Sequence, residues 1–186
     1  MMINKIKKLA AVSTLILAMP IAAHAATVDF DGLSSGLAVA LGNDLVADDL
    51  RIVTGNCANL ECMALNMNEG TEITSLTGPF TIESFWFQLL GSKSELTVTS
   101  SKSGSETFTV ADYGSNNGGQ TFSLVGNALF QDIDWIFFED TSSNAGNIRI
   151  DDLEVLTPVP LPAGGLLLLS GFAIAAGYKR RNKASA

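Results

Sequence analysis

The 186-residue chain carries 19 acidic and 11 basic residues, one histidine and two cysteines, for a net charge of −8. All 19 acids but only four bases (Arg51, Lys93, Lys102 and Arg149) fall between positions 26 and 157, giving that region a net charge of −15. Such a body does not bind nucleic acid or anionic lipid by counterion release. The single histidine, His24, lies in a segment expected to be removed, so Ser-His-Asp, Cys-His and His-bearing zinc chemistry are excluded from the remainder.

The first element is an export signal. Lys5, Lys7 and Lys8 form a positive start, Leu9 to Ile21 a short apolar run, and Ala23-His24-Ala25 a small-residue cleavage site. Cleavage is placed between Ala25 and Ala26, which makes 1–25 a signal peptide. Residues 26–157 are then one domain's worth of chain.

That domain reads as strands. Segments rich in β-branched and aromatic residues are separated by Gly/Asn/Ser clusters. The predicted strands are 27–30, 50–54, 63–67, 80–90, 95–100, 106–110, 121–125, 132–139 and 147–156. Leu96 and Val98 alternate with Thr97 and Thr99, as half-buried antiparallel strands require. "FTIESFWFQLL" and "DIDWIFF" are apolar on both faces, as central strands can be, and their Trp86 and Trp135 are assigned to the core. No amphipathic helix longer than two turns is expected. The fold class is all-β: an antiparallel, jelly-roll-like β-sandwich ectodomain.

Three local features stand out. Cys57 and Cys62, a close even pair outside the cytoplasm, are expected to form a disulfide. "YGSNNGGQ" is a loop whose Tyr113, Asn116, Asn117 and Gln120 offer a stacking ring and amides for sugar hydroxyls. In "NIRIDDLEV", Ile148 and Ile150 share one face but Leu153 and Val155 share the other. The phase slips at Asp151-Asp152, so a β-bulge is predicted there.

The chain ends in "PVPLPAGGLLLLSGFAIAAGYKRRNKASA". Pro158, Pro160 and Pro162 hold an extended strip. The uncharged run 163–178 is expected to be a single C-terminal transmembrane helix, with Lys179, Arg180 and Arg181 as a basic stop on the cytoplasmic side. This order of elements resembles the PEP-CTERM sorting signal, in the variant spelled Val159-Pro160-Leu161-Pro162-Ala163. The resemblance covers about the last thirty residues. It implies a Gram-negative exported protein, held first in the inner membrane with a periplasmic ectodomain. The export machinery, signal peptidase and an exosortase-like transpeptidase would then deliver it to the cell surface or a biofilm matrix. The commoner pattern has Glu where Leu161 stands; if that acid is read, a different exosortase handles this chain.

The strands opening "TVDFDGL" and closing "NIRIDDLEV" resemble those of jelly-roll carbohydrate-binding modules and of PEP-CTERM ectodomains. That likeness implies a structural calcium near the two strands, for which Asp31, Asp151 and Asp152 are candidate ligands, with Asp29 a lesser one. Three functions remain open: a non-catalytic sandwich that binds extracellular polysaccharide, a structural or adhesive envelope protein without a small ligand, and a glycoside hydrolase using two carboxylates. The last has the least support, because 19 acids make chance pairs inevitable.

Overall fold

A computed structural model describes residues 23–144 and 146–158. Among them are twelve strands: β1 (Ala23–Val28), β2 (Val39–Gly42), β3 (Leu45–Asp48), β4 (Ile52–Thr54), β5 (Glu61–Asn66), β6 (Gly70–Ser75), β7 (Thr81–Leu90), β8 (Glu95–Ser100), β9 (Ser105–Thr109), β10 (Gln120–Ser123), β11 (Trp135–Asp140) and β12 (Asn147–Pro158). One helical turn, Val110–Tyr113, and one 3-10 turn, Ala128–Phe130, interrupt them. The strands form two antiparallel sheets of six. The first runs β10-β7-β12-β5-β4, with β1 also paired to β12; the second runs β2-β3-β6-β11-β8-β9. The all-β sandwich expected from the alternation is the architecture found.

Period-2 patterning decides what lies between the sheets. In β8, Leu96, Val98 and Ser100 are buried and Glu95, Thr97 and Thr99 face outward; in β11, Ile136, Phe138 and Asp140 are buried. Seven of the ten phenylalanines have under 2% of their surface exposed. They interlock across the layers: Phe85 of β7 meets Phe138 of β11 edge-on at 5.5 Å, and Phe87 meets Phe108 of β9 at 5.0 Å. Tilted and edge-to-face pairs of this kind add about 0.5–1.5 kcal/mol each beyond the area they bury.

Strand β12 organises the first sheet. Along one side it pairs with β7; along the other, Asn147–Ile150 pair with β5, and Leu153–Pro158 pair with β1. The change of partner falls at the predicted bulge. The β7 register shifts between Asp151 and Glu154, and Asp152 adopts a left-handed φ of 46°. Ile148 and Ile150 before the bulge, and Leu153 and Val155 after it, therefore all reach the core. Val28 and Phe30 are likewise buried, with Asp29 and Asp31 exposed.

Three strands, β2, β3 and β6, are absent from the predicted set. The first two form a hairpin whose turn residues Asn43 and Asp44 have φ of 52° and 61°, the positive pair that twisted hairpins require. The tryptophans divide: Trp86 is buried as expected but on the outer face of its sheet, and Trp135 is only half-buried, so neither lies between the sheets. Trp86 alternates with the core residues Phe85 and Phe87, and so faces the outside of the first sheet. Trp135 faces the outside of the second, half-buried, on the same side as Phe137. The sorting motif 159–163, the apolar run 163–178 and the basic residues 179–181 lie outside the described residues, as does most of the signal peptide. The junction Ala25–Ala26 falls inside β1. Among the described residues no helix is long and apolar enough to cross a membrane.

Candidate functional site

The outer face of the first sheet collects side chains that the core cannot use. Alternation on β7 sends Ser84, Trp86 and Gln88 there; on β12 it sends Asn147, Arg149 and Asp151. Two loops fold over this face from opposite edges, and each is pinned.

The first loop joins β4 to β5 and is closed by the Cys57–Cys62 disulfide, as expected, with Cα atoms 5.5 Å apart. It reaches back over the sheet to β12. The Asn59 backbone N–H donates to Asp151 Oδ2 at 3.2 Å, and Asn59 Nδ2 donates to Asp152 Oδ1 at 2.8 Å. The Asp152 N–H donates to Asp151 Oδ1 at 2.9 Å. The bulge does bring two adjacent carboxylates to one point, and that point is Asn59. Burial pushes the Asp151 carboxyl above the usual range, against the pull of the surrounding backbone N–H groups.

Asp31 is engaged at the other side of the same loop, where its Oδ1 accepts from the Glu61 N–H at 2.8 Å. Asp29 Oδ1 accepts from the Asp31 N–H at 3.2 Å. The candidate calcium ligands thus face N–H donors of the chain. Among the described residues no three His, Cys, Asp or Glu side chains converge as a metal site would need. Calcium takes six to eight oxygen ligands, carbonyl oxygens included; in this arrangement the candidate carboxylates are turned to N–H donors.

The second loop is "YGSNNGGQ". Its members divide differently from the expectation. The Tyr113 ring packs edge-on to Phe87 at 5.3 Å and lies 5.5 Å from Phe108, closing one end of the core. Asn117 braces the loop from within: its Nδ2 donates to the Tyr113 carbonyl and its Oδ1 accepts from the Gly119 N–H. Gln120 opens β10 opposite Phe87. Asn116 is exposed, tied to the sheet by its backbone N–H donating to the Leu89 carbonyl at 3.0 Å, and its Nδ2 donates to Ser115 Oγ at 3.0 Å, which leaves its Oδ1 to solvent. The loop lies over Trp86 so closely that a Cβ on Gly119 would stand 2.0 Å from the indole.

Gln88 joins the two loops, a role that nothing in its sequence context announced. With its amide assigned in the orientation that satisfies both neighbours, its nitrogen donates to the Asn56 carbonyl at 2.9 Å and its oxygen accepts from the Gly118 N–H at 3.2 Å. Beside it on β12 stands Arg149, opposite Gln88 on one side and Ala64 on the other. Arg149 donates to two neutral acceptors, Asn147 Oδ1 and the Ile148 carbonyl. Its Nε is buried without a partner among the described residues. Burial, and secondly the Arg51 charge, lower its affinity for its proton. Arg51 itself pairs with Glu69 at 3.4 Å. The alternation in "NIRID" does place Arg149 outward once Ile148 and Ile150 are set inward. What the sequence does not show is that two loops reach it.

No family model and no curated protein sequence matches the chain. Solved structures do. A variant family 29 carbohydrate binding module complexed with mannohexaose aligns with a TM-score of 0.45 at 15% identity, covering 74% of this chain and 94% of that one. Another family 29 module aligns at 0.45 and 15%, covering 74% and 90%. A family 16 carbohydrate binding module aligns at 0.33 and 11%, covering 69% and 93%.

Proposed function

We propose that this chain is an exported, non-catalytic β-sandwich that binds extracellular polysaccharide across the outer face of its first sheet. In this proposal its C-terminal segment is a sorting signal read by an exosortase-like transpeptidase. The observation that carries the binding half is the convergence on one sheet face of exposed and half-buried amides (Asn116, Asn147) and a guanidinium (Arg149), framed by two pinned loops. Polyhydroxylated ligands need this mixture of donors and acceptors held in fixed positions. The sorting half rests on the terminal motif.

Catalysis has less support. The one adjacent acid pair at the site, Asp151 and Asp152, is engaged with Asn59, which leaves neither placed as the free partner that two-carboxylate hydrolysis requires.

The test is retention of the full-length chain, in detergent, on a panel of neutral and acidic polysaccharides. Binding to at least one member is expected. Asn116→Gly should weaken it several-fold without lowering the melting temperature, since Asn116 is exposed and its φ of 54° is one that glycine adopts freely. Failure to bind any member would overturn the reading and favour a structural or adhesive envelope role.

A further inference from the structure

Resting on that reading, we infer that the polysaccharide is acidic, and that Arg149, seconded by Arg51, holds an oxyanion on it, the carboxylate of a uronic acid or a sulfate ester. Region 26–157 holds four basic residues against 19 acids. Two of the four flank Ala64 on the first sheet: the Ala64 N–H donates to the Arg51 carbonyl at 2.9 Å, and Arg149 is the registered partner of Ala64 on the other side. Placing like charges near each other is unfavourable, and an anion that reached Arg149 would relieve the part that the Glu69 pairing of Arg51 leaves.

The acids of the neighbourhood do not supply that anion. Glu69 takes Arg51 at 3.4 Å and also accepts from the Asn66 N–H at 2.9 Å. Asp151 shares the Arg149 face but has its oxygens turned to the Asn59 and Asp152 N–H groups. Arg149 is left with neutral acceptors for one nitrogen and a buried, unpartnered Nε, and no carboxylate pairs with it among the described residues. Nε is enclosed, so an incoming oxyanion meets the Nη end of the guanidinium, a planar fork that matches carboxylate or sulfate oxygens with two parallel hydrogen bonds. The adjacent Asn147, whose Oδ1 is taken by Arg149, keeps its Nδ2 to orient a neighbouring hydroxyl. The remaining acids repel a polyanion at a distance. At a Debye length of about 8 Å in physiological salt, the groups immediately around Arg149 decide the contact.

The experiment uses the full-length chain in detergent at ~0.15 M salt, with polygalacturonate, dextran sulfate and neutral dextran as probes. Binding to at least one of the two acidic probes and little to dextran is expected. Preference between the two separates carboxylate from sulfate. Arg149→Gln should weaken acidic-probe binding about tenfold or more, the loss of one charge-assisted bidentate contact. Arg149→Lys should restore only part of it, because the fork is gone. Arg51→Gln, at an exposed position that does not threaten folding, should weaken it less but measurably. Equal binding by wild type and all three variants would overturn the inference. So would binding of neutral glycans alone, an outcome that leaves the polysaccharide reading itself standing. Absence of any binding would overturn both.

Discussion

Gly119 shows how much of this surface turns on single atoms. It combines a φ of 75° with a missing Cβ that would stand 2.0 Å from Trp86. Gly119→Ala therefore meets both backbone strain and a clash with an indole that is only 8% exposed. Strain and overpacking together should cost about 2–4 kcal/mol, read as a lower urea midpoint with red-shifted tryptophan emission. An unchanged midpoint would show that the loop is not seated on Trp86. Asp151 makes a second prediction at this scale. Its carboxyl is raised in the folded chain by burial, so the native state holds its proton where the unfolded chain has lost it. Its contribution to stability then falls as pH rises from the ordinary carboxylate range through the raised value, and stays unfavourable above it. Asp151→Asn should remove that slope, so the stability difference between variant and wild type changes across this window and is flat above it. A constant difference from acid to neutral pH would refute the assignment. Alternation and phase made the bulge at Asp151-Asp152 legible in the sequence, because β-strand parity is a local property. The partner of the two carboxylates was not legible. Asn59 lies 92 residues before Asp151, and nothing local to either residue encodes the contact.

At the level of elements, the strands with clear alternation were readable to within a residue or two. Glu95–Ser100 has the bounds its pattern implies. The missed strands failed for physical reasons. β2 and β3 are four residues each, too short for periodicity to rise above chance, and β6 opens on a glycine. That glycine has its own reason: a Cβ at Gly70 would stand 2.3 Å from the ring of Phe137. The tryptophan error has a related cause. Strands apolar on both faces read as buried between layers, yet the outer apolar residue of β7 is buried by a loop instead. The disulfide loop is the element whose removal tests this arrangement. Closing the short stretch from Cys57 to Cys62 restricts the unfolded chain by about 2 kcal/mol in the chain-entropy model. Replacing both cysteines by serine should lower stability by at least that, because Cys62 is fully buried and because Asn59 would lose its fixed approach to β12. Denaturant unfolding with and without reductant measures it. A loss well below 1 kcal/mol would mean that the Asn59 and Gln88 contacts hold the loop unaided.

For the whole molecule, the signals proposed at the two ends meet a sandwich in which the first and last strands pair with each other. Strand β12 runs to Pro158, paired residue for residue with β1 from Ala23↔Pro158 to Val28↔Leu153. The expected signal cleavage after Ala25 removes the first three of those pairings. The mature β1 would begin at Ala26, opposite Val155. Leu156 keeps its pairing to Thr81 of β7, while Thr157 and Pro158 have no registered partner there. In the proposed route, signal cleavage would free the last residues of β12 from one neighbour and lengthen the unpaired approach to the proline motif, where a transpeptidase would need uncovered backbone. Cleavage at one end would prepare the other. The proposal therefore predicts two masses from native cells: an N-terminal peptide beginning at Ala26, and a C-terminal peptide ending near Pro162, with or without an adduct. Changing the signal site so that residues 1–25 are retained should keep β1 paired to Pro158 and slow C-terminal processing. A mature chain that retains Lys179 to Ala186 would instead identify the apolar run as an ordinary anchor and remove the basis for transpeptidase sorting.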